Sequence, residues 1–123
     1  MAKRTLLVSG SFADRMVLRD ALASVGCSVV GEARNVQDAV EKYKNIEPDL
    51  VVIDVTLPDV DGVAAVRRII YDHPDACILM CAGNGQRALA MEALGAGAMD
   101  FVVKPVNPRK LMKAVQMITR QAA

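Results

Sequence analysis

Five short runs of apolar residues recur along the chain, and longer polar segments separate them. The runs occupy residues 5–8, 28–30, 50–53, 77–81 and 101–103. Runs that are apolar at successive positions are typical of parallel strands covered on both faces. Each interval is long enough for a helix that returns the chain to the same end of the sheet. The pattern therefore predicts five consecutive strand–helix units.

The segments between these runs carry apolar residues at helical spacing. Near the C-terminus, for example, Leu111, Ala114 and Val115 share one face of a predicted helix. Residues that favour helix starts precede three of the segments: Asn35, Asp61 and the pair Asn107–Pro108. A fourth helix, flanked by glycines, is predicted over about residues 85–94. Each predicted helix has one apolar face to bury against the sheet.

The alternation of strands and helices predicts the fold class. It fills the chain without a linker or a repeat, so we expect a single α/β domain over residues 1–123. Right-handed crossovers favour a doubly wound, five-stranded parallel sheet of order 2-1-3-4-5, the flavodoxin-like three-layer sandwich. Ligands of such sheets bind beyond the carboxyl ends of the strands, where the strand order reverses.

Composition and charge narrow the function classes. The chain has 123 residues, 15 Lys and Arg against 14 Asp and Glu, and a formal charge of +1. A near-neutral chain has no general attraction to nucleic acid or to an acidic membrane surface, so neither partner is expected. No apolar run approaches the ~20 residues that span a bilayer, and the start of the chain does not resemble a secretory signal. We expect a cytoplasmic protein whose cysteines, Cys27, Cys77 and Cys81, are buried reduced thiols.

Two charged residues end predicted strands at the same edge of the sheet. Asp54 ends LVVID and Lys104 ends FVVK. A carboxylate at the mouth of a buried strand needs a partner, because an unpaired buried charge is costly. The long side chain of Lys104 can reach it from the fifth strand. The pair is either a structural ion pair or a nucleophilic aspartate whose acyl phosphate is countered by the ammonium group.

Around these two residues the sequence resembles the CheY-like response-regulator receiver domains. The segment DVTLPDVDG, residues 54–62, matches the family's phosphoacceptor Asp, the Leu-Pro step and the Asp-Gly pair that opens the third helix. Similarity continues upstream through GEARNVQDAVEKYKNIEPDLVVID and downstream through AGAMDFVVKP. The resemblance covers the whole chain and implies the same fold as the apolar pattern.

The resemblance also implies roles for individual residues. Asp54 matches the phosphorylated aspartate, and Lys104 matches the lysine that contacts the phosphoryl group. Asp54 and the backbone carbonyl of Thr56 match positions that bind magnesium in the family. Phe101 occupies the position of an aromatic ring that moves inward on activation. Partners implied by the family are a sensor histidine kinase or another signalling protein, and a homodimer through helix 4, strand 5 and helix 5.

Two departures from the family pattern set this sequence apart. Ser9 and Gly10 stand where the family has an acidic pair that holds magnesium, and Ala82 stands where it has a Ser or Thr hydroxyl. Magnesium is held by a few oxygens and keeps most of its water, so losing two carboxylates is expected to lower its affinity severely. Asp54 is then expected to face Lys104 with no acidic neighbour of that kind. Asp14 is interpreted as an acid that stabilises a helix N-terminus and not as a replacement ligand.

Three functional hypotheses follow. The first is a degenerate receiver, not an enzyme, that acts through protein–protein contacts, with no required cofactor and weak magnesium binding at most. The second is an ordinary receiver that a histidine kinase phosphorylates on Asp54. The third, from another class, is a small-molecule or flavodoxin-like cofactor site at the turn Ser9 to Phe12, where small polar residues meet a helix start.

Overall fold

The computed structural model describes residues 2–58 and 61–122, and of residues 120–122 only the backbone. Asp59 and Val60, in the segment that resembles the phosphoacceptor motif, lie outside the described residues. Within the described chain, strands and helices alternate: β1 (Lys3–Val8), α1 (Phe12–Ser24), β2 (Cys27–Ala33), α2 (Val36–Ile46), β3 (Leu50–Asp54), α3 (Gly62–Asp72), β4 (Ile78–Ala82), α4 (Arg87–Ala96), β5 (Asp100–Val103) and α5 (Pro108–Ala122).

The strands form one parallel sheet in the order β2-β1-β3-β4-β5, which confirms the predicted fold class. The order reverses between β1 and β3, so the carboxyl ends of these strands open a crevice. Asp54, the last residue of β3, is paired in register with Cys81 of β4. The sheet therefore brings the end of β1 beside Asp54 and leaves β4 between Asp54 and the end of β5.

Two apolar layers cover the sheet. Residues of α2, α3 and α4 pack on one face with Leu6, Ile53 and Met80, and residues of α1 and α5 pack on the other with Leu7, Val52 and Leu79. Neighbouring residues of a strand point to opposite faces, which explains why the apolar runs are continuous and do not alternate.

Helix starts follow the sequence signals closely, with one shift. The side chains of Asn35 and Asp61 accept hydrogen bonds from the backbone N–H groups of Asp38 and Ala64, and α5 begins at Pro108 as expected. Helix α4 spans Arg87–Ala96, two residues later than the predicted 85–94. Gly85 has a φ of +80°, outside the helical region, so the helix starts only after it.

Candidate functional site

A cavity of about 500 Å³ opens at the carboxyl edge of the sheet, where the strand order reverses. Its lining includes Gly10, Asp14, Asp54, Thr56, Gln86 and Lys104. These residues come from the ends of three strands, from the first turn of α1 and from the residue before α4. The topology thus gathers residues that are up to 94 positions apart in the sequence around one carboxylate.

Asp54 is the buried centre of this cavity. Only 2% of the residue is exposed. Its Oδ1 accepts a hydrogen bond from the Thr56 backbone N–H at 3.1 Å. Its Oδ2 accepts one from Lys104 Nζ at 2.7 Å and one from the Ser9 hydroxyl at 3.3 Å. Both carboxylate oxygens therefore have donors, and the charge is paired, as a buried carboxylate requires.

Lys104 contacts two carboxylates at once. Its Nζ lies 2.7 Å from Asp54 Oδ2 and 3.1 Å from Asp14 Oδ2. Burial alone would lower the pKa of Lys104, but the hydrogen bonds and negative charges of Asp54 and Asp14 outweigh it and raise the pKa above its ordinary value. The expected contact between Asp54 and Lys104 is present, and the ammonium group has a second partner as well.

Asp14 adds a contact that the sequence interpretation did not include. Asp54 was expected to face Lys104 without the family's acidic pair, and Ser9 and Gly10 stand at those positions, but Asp14 contacts the same ammonium group from the first turn of α1. The Ser11 side chain caps this helix and accepts a hydrogen bond from the Asp14 backbone N–H at 3.2 Å. With the helix start capped by Ser11, the Asp14 carboxylate is free to point back over the first turn to Lys104, in addition to its favourable place near the helix N-terminus.

The three positions where the sequence departs from the receiver pattern also lie at this edge. Ser9 is fully buried, and Ala82 ends β4 with 1% exposure. Gly10 lines the cavity, and a Cβ atom placed on it would lie 2.6 Å from Cδ of Pro58. Position 10 therefore lacks space for any larger residue while Pro58 keeps its place.

Gln86 is a site residue that the sequence reasoning missed. Its Oε1 accepts a hydrogen bond from the Gly83 backbone N–H at 2.7 Å, and its Nε2 donates to Thr56 Oγ1. It thereby connects the segment after β4 to the segment after β3. The available signal was a long polar side chain placed four residues beyond the end of β4, within reach of the loop backbone.

Phe101 is half-buried in β5 and packs against the apolar layer that contains α4. The guanidinium carbon of Arg87, in the first turn of α4, lies 5.8 Å from the centre of the Phe101 ring. This is within the range of a cation–π contact. The aromatic position named from the sequence is thus in contact with the helix that follows Gln86.

Cys81 lies beneath the cavity and is fully buried. Burial raises the pKa of its thiol to about 12. The positive charge of Lys104 acts to lower this pKa, and the negative charges of Asp54 and Asp14 act to raise it. Cys27 and Cys77 are also buried and free, as the sequence indicated. A neutral buried thiol is a weak nucleophile, so Cys81 acts as an apolar side chain here.

The turn Ser9 to Phe12, the alternative cofactor site, is occupied by local contacts. The Ser11 N–H donates to Ser9 Oγ at 3.3 Å, and Arg15 donates to the Ser9 carbonyl at 2.7 Å. Phe12 is 70% exposed, and Arg15 lies 5.8 Å from the centre of its ring. Among residues 2–58 and 61–122, no group of three or more His, Cys, Asp or Glu side chains is arranged to hold a metal ion.

Comparisons with known proteins agree with the fold. A family model described as the response regulator receiver domain matches residues 6–116. The chemotaxis protein CheY of Thermotoga maritima is 41% identical over 120 residues, covering 98% of this chain and all of that protein. CheY of Bacillus subtilis is 42% identical over 115 residues, covering 94% of this chain and 96% of that one.

A solved structure gives the same picture. The crystal structure of a two-component response regulator of the LuxR family from Aurantimonas sp. SI85-9A1 superposes with a TM-score of 0.90 at 32% identity. The superposition covers 98% of this chain and 87% of that one. In the part of the chain that the structure describes, we find no helix long and apolar enough to cross a membrane.

Proposed function

Because the chain belongs to the response regulator receiver domains, the signalling domains of two-component systems, we propose that it is a degenerate receiver that acts through protein–protein contacts. In this proposal Asp54 is the phosphoacceptor position and Lys104 its phosphate contact, but magnesium-dependent phosphorylation is weak or absent. The observation that carries the proposal is the ammonium group of Lys104, which lies against both Asp54 and Asp14.

The residues of this cavity do not suit a magnesium ion. Mg²⁺ takes six oxygen ligands at about 2.0–2.1 Å and is usually anchored by carboxylates. Asp54 and Asp14 both face the Lys104 ammonium group, Ser9 has a neutral hydroxyl and Gly10 has no side chain. Of the positions that bind magnesium in the family, the Thr56 carbonyl is then the main one that remains beside Asp54. We therefore propose that Lys104 balances the charge that a divalent cation balances in other receivers.

The same substitutions should slow the phosphorylation of Asp54. In phosphorylation, a carboxylate oxygen attacks the phosphorus of a phosphohistidine or an acyl phosphate, the bond from phosphorus to the leaving group breaks, and an acyl phosphate forms on Asp54. Charge on the transferring oxygens must be stabilised in the transition state. Losing one such donor costs roughly 10²–10³ in rate, so the absence of the cation and of a hydroxyl at Ala82 predicts a much slower reaction.

A direct test is the reaction of the unmodified chain with acetyl phosphate, with and without magnesium, followed by intact-mass measurement. We expect little modification, and similar amounts with and without the ion. Asp54→Ala is the control for modification elsewhere. Stoichiometric, magnesium-dependent modification that Asp54→Ala abolishes would instead support an ordinary phosphoacceptor receiver. Beryllofluoride with NMR detection gives the same distinction without covalent transfer.

The proposed partner surface is formed by α4, β5 and α5, which binds a kinase, another signalling protein or a second copy of the chain. Val103, Met112 and Met117 are between 42% and 49% exposed there. Lys110 and Lys113 line a neighbouring cavity of about 550 Å³. Methionine side chains adapt readily to different partners.

Sedimentation of the chain and of a Val103→Asp variant tests whether this surface forms a homodimer. If it does, the unmodified chain should form a dimer in a concentration-dependent way, and the variant should remain a monomer. The proposed location is the cytoplasm.

A further inference from the structure

Ala82, at the end of β4, lacks the Ser or Thr hydroxyl that the family has at this position and that could hydrogen-bond to a group on Asp54. A methyl group cannot form a hydrogen bond to a ligand on Asp54, so this route to α4 is absent. Another hydrogen-bonded route connects the same two regions. It runs from the Asp54 carboxylate through Thr56 to Gln86, and from Gln86 to Gly83, the residue that follows Ala82.

We propose that Gln86 is a positioning residue that holds the segment between β4 and α4 in register with Thr56 and thereby transmits the state of Asp54 to α4. The proposal rests on the proposed function in one respect, since Asp54 is the group whose state is transmitted. It does not require Asp54 to be phosphorylated.

The two ends of the Gln86 amide group carry the argument. Its Oε1 accepts from the Gly83 N–H at 2.7 Å, and its Nε2 donates to the Thr56 hydroxyl. An alanine, a serine or a shorter amide at this position cannot make both contacts. Gln86 is also the N-cap residue of α4, but its side chain makes no capping hydrogen bond to that helix, so the amide group is committed to the two loop contacts.

Thr56 connects this bridge to the buried carboxylate. Its backbone N–H donates to Asp54 Oδ1 at 3.1 Å, while its hydroxyl oxygen accepts from Gln86. A hydrogen bond to an ionised carboxylate is roughly twice as strong as one to a neutral group. Any change that neutralises Asp54 therefore weakens the hold on the Thr56 backbone, and the bridge passes that change to Gly83.

The first turn of α4 provides the far end of this connection. Arg87 directly follows Gln86, and its guanidinium group lies over the ring of Phe101. A displacement of Gln86 would move Arg87 and change the environment of that ring. The signals of Gly83 and Phe101 are thus two separate reporters of the same coupling.

NMR of the labelled chain tests the proposal without any phosphodonor. Asp54→Asn neutralises the carboxylate, and we expect it to shift the Gly83 amide and the Phe101 ring signals. In a Gln86→Ala background the same change should leave both signals nearly unmoved. Gln86→Ala alone should speed hydrogen exchange of the Gly83 amide by roughly 3- to 10-fold, because that amide loses its acceptor. Gln116→Ala, at an exposed glutamine of α5, is the matched control and should change none of these signals.

A second pair of variants guards against a folding defect in Gln86→Ala. Thr56→Val removes the hydroxyl but keeps the backbone N–H, and it should uncouple Gly83 from Asp54→Asn as Gln86→Ala does. Thr56→Ser restores the hydroxyl and should restore the coupling. The proposal would be overturned if Asp54→Asn shifted the Gly83 amide signal as much in the Gln86→Ala or the Thr56→Val background as in the otherwise unmodified chain. Stoichiometric, magnesium-dependent modification of Asp54 by acetyl phosphate, which would overturn the proposed degenerate receiver, would leave these outcomes unaffected, so the two proposals can fail separately.

Discussion

Asp54 is a buried carboxylate that accepts three hydrogen bonds from the described residues, and among these donors only Lys104 is charged. The residue types at the ends of β3 and β5 make the pair with Lys104 predictable, because a buried carboxylate must be compensated and a lysine can reach across β4. The contact between Lys104 and Asp14 was not predictable in the same way. The direction of a side chain in a first helical turn depends on where the helix starts and on which charge lies across the loop.

We expect the two carboxylates around Lys104 to differ strongly in their effect on stability. Lys104→Met would leave Asp54 buried without a cation and should lower the free energy of unfolding by about 3–5 kcal/mol. Asp14→Asn changes a side chain that is 44% exposed and should cost about 1 kcal/mol or less. Urea unfolding at neutral pH measures both. Adding Asp54→Asn to Lys104→Met should recover part of the loss, whereas equal costs for the two single variants would contradict this assignment of charges.

Rebuilding the acidic pair requires space as well as charge. We expect the double replacement Ser9→Asp with Gly10→Asp to gain little magnesium affinity, because a Cβ at position 10 would lie 2.6 Å from Pro58 Cδ. Adding Pro58→Ala removes that atom and should tighten binding by at least about tenfold, or about 1.4 kcal/mol. Calorimetric titration of magnesium into each variant measures the difference. Pro58→Ala alone is the control, and equal affinity in the double and triple variants would mean that the steric conflict is unimportant.

At the level of elements, the strands and the sheet order could be predicted from the sequence, but the loops around the site could not. Continuous apolar runs define parallel strands, and chirality leaves few orders for five of them. The start of α4 depends instead on Gly85 and on the side-chain contacts of Gln86, which no periodicity encodes. The three positions where the sequence departs from the receiver pattern, Ser9, Gly10 and Ala82, could be identified from the sequence. The residues that contact them in the structure could not.

Helix α3 is held against the end of β3 by its first residue. A Cβ on Gly62 would lie 2.6 Å from the backbone oxygen of Asp54, so Gly62→Ala should destabilise the fold by about 1–3 kcal/mol and displace the site. Gly95 in α4 is the matched control, since nothing lies within 4 Å of its added Cβ. Gly95→Ala should stabilise the chain by about 0.5–1 kcal/mol through helix propensity. Urea unfolding of both variants checks the opposite signs, and a shared sign would refute the packing argument.

At the level of the whole molecule, the two apolar layers bury thiols as well as hydrocarbon. Cys27, Cys77 and Cys81 all have a raised pKa, for which burial is the main cause. Folding therefore keeps these thiols neutral at a pH where the unfolded chain ionises them. Because the unfolded state then binds fewer protons than the folded state, the free energy of unfolding must fall as the pH rises above the ordinary thiol value.

Cys81 should make the largest contribution of the three thiols to this fall in the free energy of unfolding at alkaline pH. Its pKa rises from 9.0 to about 12, so its contribution declines across that range by at most about 1.4 kcal/mol per pH unit. Cys81→Ala will cost stability at pH 7 through lost packing, but its unfolding free energy should fall less steeply than that of the unmodified chain above pH 9. Urea unfolding at several pH values between 8 and 10.5, with reductant present, compares the slopes. Tyr43, Lys104 and the other thiols titrate in both proteins, so the difference isolates Cys81. Parallel curves for the two proteins would show that Cys81 ionises as readily in the fold as in the open chain.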